Sequence, residues 1–91
     1  SEWGPPMDKV VYIIFGRNKS GFIPLYVDES DKTDQNDFFT QNDNFKCWVQ
    51  HAGNEDLLYL SILPLWESEE RERKRIVDKI ILKYRPLCQI E

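Results

Sequence analysis

Lys9-Val10-Val11-Tyr12-Ile13-Ile14-Phe15, joined through Gly16-Arg17-Asn18-Lys19-Ser20-Gly21 to Phe22-Ile23-Pro24-Leu25-Tyr26-Val27, decides the fold of this chain. Both outer runs are rich in β-branched and aromatic residues, which pack well on a pleated surface. The stretch between them carries a glycine at each end and polar residues within, so it reverses the chain. The expectation is a β-hairpin with a longer loop. Pro24 has no backbone donor, which places it on a sheet edge or at a bulge.

Downstream, residues 28–44 are polar and acidic and read as a loop with one short helical turn around 36–41. Residues 45–51 predict a short helix, with Phe45, Trp48 and Val49 inward at helical spacing. The near-continuous apolar run 57–63 predicts a third strand covered on both sides, ended by Pro64. Ser68 is the expected N-cap of the next helix, and Glu69 and Glu70 favour its positive end. Arg73, Ile76, Val77, Ile80, Ile81 and Tyr84 then recur at helical spacing until Pro86 stops the helix. The fold class is α+β: a small three-stranded antiparallel sheet with flanking helices, in β-β-α-β-α order. Residues 9–91 form one domain, and 1–8 read as an N-terminal arm or tag remnant.

At 91 residues there is room for one modest core. Charged and apolar residues mix as in soluble globular chains, no apolar run approaches the roughly 20 residues that cross a bilayer, and no signal peptide is visible. A cytoplasmic domain is therefore expected. Cys47 and Cys88 are far apart and lack metal-like spacing, so they read as two free thiols, neither disulfide nor ligand pair. The net charge of −4 is uneven. Asp28, Glu29, Asp31, Asp34, Asp37 and Asp43 make one acidic region; Arg71, Arg73, Lys74, Arg75, Lys79, Lys83 and Arg85 make the last helix basic.

Val10-Val11-Tyr12-Ile13-Ile14, Pro24-Leu25-Tyr26-Val27-Asp28 and the run from Ile80 through Arg85-Pro86 to Gln89 together resemble a GIY-YIG nuclease-type domain over nearly the whole chain. The resemblance implies a metal-dependent phosphodiester hydrolase. In such enzymes a tyrosine helps activate water, an arginine steadies the phosphate and a glutamate holds one divalent metal. Tyr12 and Tyr26 match the family's two tyrosines. Val10 and Asp28 stand where its glycines would be, Val77 where its glutamate would be, and Gln89 where its asparagine would be. No arginine lies between Arg17 and Arg71, and Lys32 lacks the planar fork to replace one.

The resemblance thus implies a degenerate site, with Tyr12, Tyr26 and Gln89 as vestigial catalytic residues and no cofactor. Tyr12 and Tyr26 also read simply as half-buried strand aromatics, and His51 as a partner of a helix C-terminus. Three functions stay open. A catalytically silent domain would contact nucleic acid through the basic helix 71–85, chiefly Arg71, Lys74, Arg75 and Lys79. A protein-interaction module or homodimer would use exposed aromatics among Trp3, Phe38, Phe39, Trp48 and Trp66. A divergent DNA endonuclease would recruit Asp78 or Glu70 to hold Mg²⁺ or Mn²⁺.

Overall fold

Two long strands form the hairpin, β1 (Asp8–Asn18) and β2 (Gly21–Lys32), in a computed structural model that describes residues 3, 5–33 and 38–89. The loop is tighter than expected. Arg17 and Asn18 pair with Phe22 and Gly21, so only Lys19 and Ser20 remain in the turn. Asn18 Oδ1 accepts from the Ser20 N–H at 2.8 Å, and Gly21 takes a φ of 114°, open to glycine at no steric cost. Then follow α1 (Phe45–Ala52), a 3₁₀ turn (Glu55–Leu57), β3 (Leu58–Pro64) and α2 (Glu70–Tyr84). The part of the expected helical turn at 38–41 is irregular turn, and the rest of that span lies outside the described residues.

The sheet is antiparallel, ordered β2-β1-β3, with α1 and α2 packed on it: an α+β domain. β1 is central, and its two faces enter two different cores. Val10, Tyr12 and Ile14 join Leu25, Tyr26, Phe39, Trp48, Ala52, Leu58 and Cys88 on the α1 side. Val11 joins Val27 and Val77 on the α2 side, with Ile13, Leu65, Ile76, Ile80 and Ile81 against them. Each fully buried aliphatic side chain contributes about 1.5–3 kcal/mol. Gly16 lets α1 approach β1, since a Cβ there would lie 3.1 Å from Leu25 Cδ1 and 3.4 Å from Ala52 Cβ. Trp3 stacks on Phe39 at 4.9 Å and Met7 exchanges hydrogen bonds with Thr33, so these two residues pack onto the domain.

Pro24 sits on an edge strand and beside a bulge. Ile14 faces Tyr26 while Phe15 faces Pro24, leaving Leu25 as the extra residue. The bulge turns both Leu25 and Tyr26 into the α1-side core. Beyond α2, residues 87–89 run along the outer edge of β2. Leu87 N–H donates to Pro24 O, and Cys88 N–H donates to Leu25 O at 2.7 Å. Gln89 completes this cover by accepting from Val27 N–H and donating to Val27 O, at 3.1 and 2.9 Å.

Several expectations are corrected. Cys47 and Cys88 are not free thiols: they form a disulfide that ties residues 87–89 to α1, with Cα atoms 5.8 Å apart. Their separation of 41 residues hid a proximity that only the tertiary fold creates. β3 is covered on one side, because α2 lies over β2 and β1 and leaves Tyr59, Ser61 and Leu63 exposed. Glu69, not Ser68, caps α2, in a reciprocal capping box with Glu72. β2 continues past Val27 to Lys32, so Asp28, Glu29 and Asp31 are strand residues rather than loop.

That extension has a physical reason. Alternation sends Glu29 and Asp31 to the α2 face, where Arg73 meets them, and Asp28 to the other. Arg73, the second-largest fully buried side chain, is 1% exposed. Its Nε donates to Glu29 at 2.9 Å, its Nη1 to Ser68 O and Oγ at 2.9 and 3.0 Å, and its Nη2 to Asp31. Burial pulls the guanidinium pKa down, but Glu29 and Asp31 outweigh it and hold the value above normal. Two stability losses follow. Arg73→Ala strands the Glu29 carboxylate and costs about 3 kcal/mol, the low end for buried pairs because Asp31 stays in water. Breaking Cys47–Cys88 costs about 4 kcal/mol on a chain-entropy basis. Urea midpoints measure both, and a loss under about 1 kcal/mol for either variant contradicts its assigned role.

Candidate functional site

Tyr12 and Tyr26 converge on the α1 side of the sheet because Tyr12 faces Asp28 across the ladder and Tyr26 lies two residues from Asp28 on the same face. Their rings are 6.2 Å apart, and both are buried, Tyr12 to 1% exposure. Phe38 and Phe39 meet the Tyr12 ring edge-on, and Trp48 lies against Tyr26. The Tyr26 hydroxyl donates to Asp28 Oδ2 at 3.0 Å. Asn42 stands beside both hydroxyls and Asn44 beside that of Tyr26.

This environment opposes phenolate formation. Desolvation is the largest cause of a raised Tyr12 pKa, followed by Tyr26 and Asp28. Tyr26 is pushed up to about 12, first by burial and then by Asp28. Both phenols therefore stay protonated at neutral pH, and that of Tyr26 is spent as a donor to Asp28. Gln89 is placed apart from them: its amide is spent on both backbone groups of Val27. Arg73, the buried arginine, is committed to Glu29 and Asp31 in the α2-side layer.

The other expected residues lie on α2. Arg71, Lys74, Arg75 and Lys79 are all exposed and share its solvent face. Glu70 pairs with Lys74 at 3.8 Å. Glu70 and Asp78 are exposed and do not join the tyrosines.

One surface was not legible in advance. Among the described residues no helix covers the hairpin end of the α2-side face, leaving Phe15, Phe22 and Tyr59 as a row of aromatics. Phe22 is 58% exposed and Tyr59 38%. Phe22 meets Tyr59 at 5.1 Å and Phe15 at 6.3 Å, all edge to face. Between this row and α2 lies a cavity of about 270 Å³ lined by Ile13, Phe15, Pro24, Ile80 and Tyr84. Cations flank it: Arg17 sits 5.6 Å from the Phe22 ring centre, and Lys83 sits 5.3 Å from that of Tyr84. The sequence signal was the phenylalanine and tyrosine at alternating positions on adjoining strands, once the register is known.

Comparisons with family models, with curated proteins and with solved structures give no match.

The raised tyrosines make a pH prediction. Below the ordinary tyrosine value of 10.0, folded and unfolded chains hold the same phenol protons, so stability is flat on their account. Between 10.0 and about 12 the unfolded chain releases protons that the native Tyr26 retains, so stability falls as pH rises. The slope is about 1.4 kcal/mol per pH unit for each tyrosine, and Tyr26→Phe removes one such share. Urea unfolding across this range measures it. A slope unaltered in Tyr26→Phe contradicts the assignment.

Proposed function

We propose that this chain is a catalytically silent, GIY-YIG-like binding domain that holds single-stranded nucleic acid on the α2 side of its sheet. The observation that carries this reading is the adjacency of exposed aromatics, Phe22, Tyr59 and Tyr84, to exposed cations at Arg17 and Lys83, with further exposed cations on the solvent face of α2. Bases stack on aromatic faces while cations track the backbone, and each stacked ring contributes about 1–3 kcal/mol. A duplex, with its bases already stacked inward, uses only the cations. Silence fits the tyrosines, whose protons are held where a base would need to accept one. The net charge of −4 confines attraction to this face and makes it sensitive to salt.

Anisotropy of labelled single-stranded DNA, RNA and duplex across a salt series tests the proposal. Single strands should bind more tightly than duplex, and affinity should fall with salt. Joint replacement of Arg71, Lys74 and Arg75 by Ala should lower the log–log salt slope by about 2, at roughly 0.7 per lost phosphate contact. Phe22→Ala or Tyr59→Ala should weaken single-strand binding roughly tenfold. No binding at low salt would retire the nucleic-acid reading. Mg²⁺- or Mn²⁺-dependent cleavage that disappears in Tyr12→Phe would retire catalytic silence.

A second reading, self-association, has its own observation. Among the described residues β3 pairs only with β1, so its outer edge is open. Its sequence Leu58-Tyr59-Leu60-Ser61-Ile62-Leu63-Pro64 bears no charge and is nearly symmetric about Ser61. Antiparallel pairing with a second copy would set Leu60 against Ile62 and Tyr59 against Leu63, extending the aromatic row across the two-fold axis. Sedimentation would then show a concentration-dependent dimer that Ser61→Lys abolishes. A monomer at every concentration excludes it.

A further inference from the structure

The Cys47–Cys88 disulfide has a third neighbour that a disulfide does not require. His51, the chain's one histidine, follows Cys47 by one helical turn on α1. Residues 87–89 bring Cys88 to the same place. One ligand atom from each of the three lies within 4.8 Å of the others. Cys88 is buried, Cys47 half-buried and His51 exposed. Among the described residues the exposed His51 side chain makes no hydrogen bond or ion pair. Two thiolates and an imidazole are a donor set suited to a thiophilic divalent cation in tetrahedral geometry.

We propose that reduction converts this disulfide into a Zn²⁺ site formed by Cys47, His51 and Cys88, with the fourth position open to water. A dithiol reductant gives two electrons and two protons to the disulfide and leaves as its own disulfide, which frees two thiols. Zn²⁺ then displaces both thiol protons and bonds the two thiolates and one neutral imidazole nitrogen, so the site carries no net charge. Zn–S bonds of about 2.3 Å and a Zn–N bond of about 2.0 Å set ligand separations of roughly 3.5–3.8 Å. The three donor atoms reach this from their present spacing by side-chain rotation. In the disulfide form the Cys88 N–H donates to Leu25 O, a backbone bond that does not involve the sulfur. Either bond type therefore holds residues 87–89 along β2, under oxidising and reducing conditions alike.

Cobalt(II) is the probe. The full chain, reduced and kept free of oxygen, is titrated with Co²⁺ and followed by absorbance and far-ultraviolet circular dichroism. The expected result is one equivalent bound, with a thiolate-to-cobalt charge-transfer band and the intense visible bands of tetrahedral Co²⁺, all bleached by Zn²⁺. The oxidised chain should show none. His51→Ala is an exposed substitution that leaves the disulfide and the core intact. It should weaken Co²⁺ binding by roughly 100-fold, at or beyond the 10–100-fold typical of losing a ligand's supporting partner. Absence of the charge-transfer band in reduced protein overturns the proposal, whether that chain is folded or not. So does equal Co²⁺ affinity in wild type and His51→Ala.

Discussion

β1 lies between β2 and β3 with Val10, Val11, Tyr12 and Ile14 all buried, so both faces of the sheet must be covered. A chain of 91 residues has little to cover them with. The α1 side takes α1, the aromatics Phe38 and Phe39, Trp3, and the C-terminal segment held by the disulfide. The α2 side has one helix of 15 residues, which spans β2 and β1. Among the described residues nothing covers the hairpin end and β3 there. The proposed binding face is thus a consequence of how far one helix reaches over a sheet whose central strand is apolar on both sides.

Charge placement follows from the same alternation. The acidic run on β2 is divided by the pleat: Asp28 stays with the tyrosines, while Glu29 and Asp31 turn toward α2. Arg73 joins that second pair to α2 and to the chain just before it. Burying a guanidinium is costly, and four hydrogen bonds offset the cost. The result fixes the helix rotation, so Ile76, Val77 and Ile80 face the sheet and Arg71, Lys74, Arg75 and Lys79 face solvent.

Local signals in the sequence carried the elements well. The hairpin, the third strand, both helices and the role of Pro24 were legible because periodicity and turn chemistry act over a few residues. Signals that depend on register or on distant partners were not. The polarity of residues 28–32 reads as loop until Arg73 is known to neutralise two of them. Arg73 itself reads as one member of a solvated basic run, although its position on the apolar stripe was the clue. The disulfide joins residues that no local pattern connects, and its nearby histidine is meaningful only beside Cys88. As for the tyrosines, their position on the hairpin was readable, but their burial and raised pKa values emerge only from the packing of Phe38, Phe39 and Trp48.

Amide chemical-shift mapping of isotope-labelled protein titrated with a short single-stranded oligonucleotide locates the binding face residue by residue. Shifts should concentrate at Arg17, Phe22, Tyr59, Lys83, Tyr84 and the outer face of α2, with Tyr12, Tyr26 and their neighbours unmoved. Shifts centred on the Tyr12–Tyr26 pair, or none anywhere, would contradict that placement.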